Sequence, residues 1–137
     1  MRNYKKLESW KKAHELYMYV KKNIVPKLPK EERYELTSQL STAVLSIPLN
    51  IAEGCGRYTD KDFTHFLDNS LGSVNETDYR CFAAFELNYI LQEEYNIVNK
   101  QVNEVGTMLI SFIKFLRTKN SVAQDTLHLA PYTLYLL

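Results

Sequence analysis

The stretch SIPLNIAEGCGR, residues 46–57, sets a proline, an asparagine, a glutamate and two glycines among apolar residues. It reads as a phosphate cradle, as a catalytic loop, or as a helix that bends and then stops. Upstream, Leu36, Leu40, Ala43, Val44 and Ile47 follow helical spacing, and the stripe passes straight through Pro48 to Ile51, Ala52 and Cys55. A proline inside a helix costs about 3 kcal/mol, because it removes one hydrogen bond and crowds the preceding turn. Since the apolar period survives it, the spacing predicts one helix, beginning near Lys30 or Glu31 and kinked at Pro48. Gly54 and Gly56 are then expected to supply the left-handed conformations that end helices.

Three further amphipathic segments flank this one. From Tyr4 to Val25, Trp10, Ala13, Leu16, Tyr17, Val20 and Ile24 keep the helical rhythm, and Pro26 and Pro29 stop the helix. A third helix is expected from Thr59 or Asp60, with Thr59 as N-cap and Asp62 in the first turn. Phe63, Phe66, Leu67, Ser70, Leu71, Val74, Cys81, Phe82 and Phe85 carry its stripe towards Leu91, and Gly72-Ser73 is expected to admit a neighbouring backbone. The fourth runs from about Glu93 to Lys119, with Ile97, Val98, Val102, Val105, Met108, Leu109, Phe112, Ile113 and Leu116 inward. These elements predict an all-α domain of four helices over residues 1–120. The tail, residues 121–137, has no Lys or Arg and one acid, so it is expected to dock on its own bundle or on another subunit.

Composition narrows the function. The 137 residues suit one domain, and only four glycines and four prolines favour long helices over many short strands. No run approaches the roughly 18 apolar residues that cross a bilayer, and Met1–Lys6 lacks the apolar core of a secretion signal. Cys55 and Cys81 have no metal-type spacing and are too few for a disulfide framework, so free thiols in a cytoplasmic protein are expected. The net charge of +1 conceals an asymmetry: residues 1–30 hold nine Lys/Arg and two Glu, so the remainder is acidic. A basic end and an acidic body can meet a polyanion at one surface, or can bind each other.

Catalytic chemistry finds little support. Phosphate loops lie between a strand and a helix N-terminus, whereas these glycines follow a helix and no Lys-Ser/Thr pair accompanies them. Ser46, Asn50, Glu53 and Arg57 share a helix face, where Glu53 could act as a base and Arg57 could hold an anion. The same spacing makes Glu53 and Arg57 an ordinary i, i+4 ion pair, and lets Asn50 bond backbone groups loosened by Pro48. A di-metal bundle needs paired Glu-x-x-His motifs, and Asp62-Phe-Thr-His65 is a single imperfect echo. His14 and His128 stand alone, so neither a catalytic set nor a metal site is expected.

Binding is better supported. At about 100° per residue, Lys5, Lys11, Lys12 and Lys22 fall opposite the apolar stripe of the first helix. Joined by Arg2, Lys27 and Lys30, they can neutralise phosphates, with Tyr4 and Tyr19 placed to stack on bases. The plainer alternative is a solvated lysine face. Tyr79, Tyr89, Tyr95, Tyr132 and Tyr135 suit either a subunit interface or the rim of a core.

Taken in order, LESWKKAHEL, LPKEERYELTSQL, SIPLNIAEGCGR, DFTHFLDNSLGSVNE and Tyr89-Ile90 resemble the four-helix-bundle family encoded by intervening sequences in bacterial 23S ribosomal RNA genes. The resemblance runs from about Tyr4 to Leu116, and its most specific part is Ser-Ile-Pro-x-Asn-Ile-Ala-Glu-Gly. That family, which includes accessory proteins of diversity-generating retroelements, implies an all-α, antiparallel up-down four-helix bundle, a ring-like homopentamer and no assigned catalysis. Some members bind nucleic acid, and the retroelement accessory proteins also bind the reverse transcriptase. By this resemblance Ser46, Pro48, Asn50, Glu53, Gly54 and Arg57 are signature residues of structure or subunit contact. The chain departs from the pattern at Ser41-Thr42, where the family usually carries one or two arginines.

The sequence therefore predicts a cytoplasmic, non-enzymatic homo-oligomer without cofactor or metal. It would bind RNA, DNA or a nucleic-acid-handling protein through Lys5, Lys11, Lys12 and Lys22, with Arg57 as a further candidate. The alternative is a protein-interaction module with no nucleic-acid binding.

Overall fold

The computed structural model describes residues 2–121, and among them every regular element is helical. Four α-helices, α1 (Glu8–Tyr19), α2 (Leu36–Cys55), α3 (Asp60–Glu86) and α4 (Gln92–Ser121), form a four-helix bundle. Helix α2 packs on α3, α3 on α4, and α1 on both α2 and α4. Along α2 and α3 the partners run in opposite order: Arg80 donates to Gln39, Ser73 meets Ser46, and Gly54 lies against Phe63. The tail from residue 122 onward, predicted to dock, lies outside the described residues.

The core draws on all four helices. Leu16, Ile47, Ile51, Phe63, Leu67, Leu109, Phe112 and Leu116 are fully buried, and the rings of Phe63 and Phe112 meet edge to face with centroids 5.2 Å apart. Each such side chain contributes about 1.5–3 kcal/mol relative to leaving it in water. Ile97, expected inward on α4, is instead 45% exposed, because it lies just outside the strip swept by Val98, Val102 and Val105.

The helix ends show the local chemistry that sets them. Thr59 is extended (φ −106°, ψ 151°), and its hydroxyl accepts the Asp62 N–H at 3.1 Å. Asp60 and Asp62 then sit in the first turn, where the helix dipole favours carboxylates. Helix α3 ends in a Schellman motif: the Tyr89 N–H bonds the Ala84 carbonyl and the Asn88 N–H that of Phe85, both at 2.9 Å. Asn88 takes the left-handed conformation this requires, with φ 64°. At the start of α4, the Leu91 N–H donates to Glu94 Oε1 at 2.8 Å, half of a capping box.

The first segment is not one regular helix to Val25. Tyr4–Lys6 is a 3-10 turn, α1 stops at Tyr19, Val20–Ile24 is a π-helical turn, and Val25–Lys27 returns to 3-10 geometry ahead of Leu28. The widened turn keeps both Val20 and Ile24 in the core, and Asn23 Nδ2 bonds the Tyr19 carbonyl at 3.1 Å. The connector continues into a 3-10 turn at Lys30–Glu32, so α2 starts at Leu36 rather than near Lys30.

Helix α2 runs without interruption through Pro48. Its glycines do not use left-handed conformations: no glycine has a positive φ, and Gly56 lies at φ −85°, ψ −1°. Gly54 is buried within the helix, where an added Cβ would stand 2.7 Å from Phe63 Cδ1 and 3.0 Å from Phe66 Cβ. It is a close-packing residue, and the helix ends by Gly56 donating to Glu53 and Arg57 to Gly54. Gly72, expected to admit a neighbour, faces open space, and the buried Ser73 beside it makes the approach.

Candidate nucleic-acid interface

The signature residues of α2 first form a polar seam with α3. Pro48 has no N–H to offer the Val44 carbonyl, and the neighbouring carbonyls each gain a side-chain donor. Asn50 Nδ2 donates to the Ser46 carbonyl and to Ser46 Oγ, both at 2.8 Å. Ser70 Oγ donates to the Ile47 carbonyl at 2.8 Å, and Ser46 Oγ meets Ser73 Oγ at 2.8 Å. Ser46 is thus occupied in joining α2 to α3, Asn50 braces it within α2, and Pro48 is buried.

Glu53 stands exposed on the last turn of α2, and no ion pair joins it to Arg57. The helix stops at Cys55, so the i, i+4 geometry expected of that pair is never completed. Arg57 instead lies over the Phe66 ring, its Cζ 4.5 Å from the centroid, and its carbonyl accepts from Arg2 Nη1 at 3.0 Å.

The charge asymmetry is partly resolved within the chain. Cations of the first thirty residues reach acids of the body: Arg2 pairs with Asp60, Lys12 with Glu104 at 4.0 Å, and Lys27 with Glu94. Asp60 also takes Lys119 Nζ at 2.9 Å, so one carboxylate ties the N-terminal segment, the start of α3 and the last turns of α4. Lys11 pairs with Glu8 at 3.3 Å and Lys12 also with Glu15 at 3.6 Å, both one turn away. Lys22 is exposed on the π-helical turn beside Lys21, and no ion pair holds it among the described residues. Lys5 is not on the helix with the others: it lies on the preceding 3-10 turn, 5.9 Å from the Tyr4 ring centroid. The predicted lysine stripe is therefore spread over three backbone geometries. Along α1, Trp10 stacks on His14 at 5.0 Å, with Tyr4 at its edge.

A second polar surface escaped the sequence reading. Lys12 of α1 faces Asn96, Asn99, Lys100, Asn103, Glu104, Thr107 and Met108 of α4 across an open groove of about 850 Å³. On its α3 side, Tyr95 and Asn99 both donate to Asp78 Oδ1, at 3.0 and 3.1 Å. Burial and then this hydrogen bond raise the Tyr95 pKa above its ordinary value. Sequence spacing places Asn96, Lys100, Asn103 and Thr107 on one side of a helix, but only the fold supplies Asp78 and Lys12.

Two other features concern chemistry. Burial pushes the Cys81 thiol up to about 12 and the Cys55 thiol up to about 11, so both are protonated at neutral pH. Among the described residues no three His, Cys, Asp or Glu side chains converge as a metal site requires, and no helix is long and apolar enough to cross a membrane.

On α2, no charged residue occurs from Leu36 to Ala52. Its outer side shows Leu45 and Leu49, 44% and 48% exposed, and Thr42 bonds its own helix at the Ser38 carbonyl, 3.0 Å away. A model of the 23S rRNA-intervening sequence protein family matches residues 5–111, which includes all of this helix. The chain belongs to that family. As a 23S rRNA-intervening sequence family protein it is also similar to a solved structure from Bacteroides thetaiotaomicron VPI-5482, a protein of unknown function from the S23 ribosomal protein family. The two are 28% identical with a TM-score of 0.71, over 77% of this chain and 98% of the other. No curated protein matches the chain.

Proposed function

We propose that the protein is a cytoplasmic, non-enzymatic scaffold that assembles as a homo-oligomer and presents a basic face to RNA or DNA. The observation that carries this reading is the separation of its surfaces. From Leu36 to Ala52 the outer side of α2 carries no charge and exposes Leu45 and Leu49, whereas Lys5, Lys21, Lys22 and Arg57 lie elsewhere, exposed and, among the described residues, outside any ion pair. Uncharged exposed leucines suit contact between copies, five by family resemblance, and unpaired cations suit phosphates. Shape and counterion release then dominate binding, with little reading of bases.

A second reading, a protein-interaction module with no nucleic-acid binding, draws on the ion pairs of Arg2, Lys12 and Lys27 with the acidic body. Salt separates the two. Binding through four phosphate contacts weakens about a hundredfold between about 50 and 200 mM salt, whereas an apolar interface persists. Titration of the protein with a structured RNA and a duplex DNA across that range tests the reading. Steep salt dependence, shallower in Lys5→Glu/Lys22→Glu, supports it; no binding at the lowest salt favours the interaction module.

A further inference from the structure

Resting on that nucleic-acid reading, we propose that the groove between α1 and α4 seats a phosphodiester backbone. Lys12 and Lys100 neutralise phosphates, Asn103 and Thr107 hydrogen-bond them, and Glu104 limits the affinity.

The groove is built rather than incidental. Asp78 Oδ1 accepts from Tyr95 and from Asn99 Nδ2. An ionised carboxylate only accepts, so Asn99 must turn its amide nitrogen to Asp78 and its oxygen outward. That oxygen in turn receives Asn103 Nδ2 at 3.2 Å, which fixes the orientation of Asn103 and leaves its own oxygen and second N–H for a ligand. Orientation is thus relayed from α3 through two amides to the groove. Amides and hydroxyls beside lysines are the groups that contact nucleic-acid backbones. From Asn96 to Thr107 the helix rises about 16 Å, the length of about five base pairs.

The charges decide how strongly it holds. Lys100 is exposed, and no ion pair holds it among the described residues. Lys12 is engaged by Glu104 at 4.0 Å and Glu15 at 3.6 Å. A phosphate entering the groove competes with Glu104 for the Lys12 amine and is repelled by its carboxylate. Glu104 is therefore the residue that limits the affinity of the surface.

The test is fluorescence anisotropy of a labelled hairpin RNA and a labelled duplex DNA against the full chain at several salt concentrations. Lys100→Ala is expected to weaken binding several-fold and to reduce the salt slope by about 0.9, the loss of one phosphate contact. Asn103→Ala is expected to weaken binding without changing the slope. Glu104→Gln is expected to tighten it several-fold, a gain that misfolding cannot produce. Lys61→Ala, an exposed lysine on the first turn of α3, is the control, with less than a twofold effect. Whichever nucleic acid shows this pattern identifies the ligand. If wild type binds but Lys100→Ala matches Lys61→Ala, or Glu104→Gln gains nothing, the groove assignment is overturned while the nucleic-acid reading stands. If neither wild type nor Glu104→Gln binds either probe at the lowest salt, the underlying reading itself fails.

Discussion

Replacing Gly54 by alanine puts a methyl group 2.7 Å from Phe63 Cδ1, 3.1 Å from Phe63 Cε1 and 3.0 Å from Phe66 Cβ. Phe63 cannot move aside. It is fully buried, its ring meets Phe112 edge to face at 5.2 Å, and the Arg2 guanidinium lies 4.5 Å over it. Overpacking of this kind costs about 1–3 kcal/mol. Alanine recovers about 1 kcal/mol of helix propensity, so the net expectation is a loss of about 0–2 kcal/mol. Gly72 is an internal control: it is also helical, and a Cβ there meets nothing within 4 Å. Gly72→Ala should stabilise by about 0.5–1 kcal/mol, because only propensity and unfolded-chain entropy act. Thermal unfolding at one fixed protein concentration reads both, at about 3–6 °C per kcal/mol for a domain of this size. Fixed concentration matters because self-association also shifts the midpoint. A Gly54→Ala midpoint equal to or above that of Gly72→Ala would refute the close-packing account of the signature glycine.

Three further outcomes are expected. Asp60→Asn should lower stability by about 1–3 kcal/mol in urea unfolding, since its carboxylate serves both Arg2 and Lys119 in a partly buried setting; in Arg2→Ala its effect should shrink, and an unchanged cost would show the pair to be uncoupled. Alkali should destabilise the fold: with Cys55 and Cys81 raised to about 11 and about 12, the native state holds protons that the unfolded chain releases above about pH 9, so stability falls as pH rises towards those values. Cys81→Ala should flatten that slope, and below pH 8 both thiols should resist a soluble thiol reagent until the protein unfolds. Asn88→Gly should leave stability unchanged or raise it by up to about 1 kcal/mol, whereas Asn88→Val should lower it, because φ is 64°; equal melting temperatures for the two would contradict the Schellman end of α3.

Much of the architecture was legible because its signals are local. The Thr59 cap and the stripes through Phe63, Leu67 and Val74 or Val98, Val105 and Leu109 depend on neighbours within a turn or two, and they appear as read. The failures share a cause of the opposite kind. Gly54 looked like a helix terminator because glycine has two uses, and only the position of Phe63 on α3 selects close packing. Glu53 and Arg57 were spaced for a pair, but the helix ends between them. The lysine stripe assumed unbroken α geometry, which the π-helical turn at Val20–Ile24 removes for Lys22. Composition showed that basic and acidic parts could meet, yet not that Asp60, Glu104 and Glu94 would be the partners. Long-range charge pairing, like the Asp78–Asn99–Asn103 relay, leaves no period in a sequence.

We propose that the side of α2 exposing Leu45 and Leu49 joins copies of the chain into a scaffold, leaving Lys5, Lys21 and Lys22 exposed for a ligand. Sedimentation equilibrium of the purified protein in about 1 M salt tests it most directly, because charge contacts are screened there and apolar ones persist. The account predicts a multiple of the 16.0 kDa chain mass, reduced to the single-chain mass by Leu45→Lys/Leu49→Lys in a protein that remains helical. A wild-type protein that sediments at the single-chain mass at every concentration would contradict it.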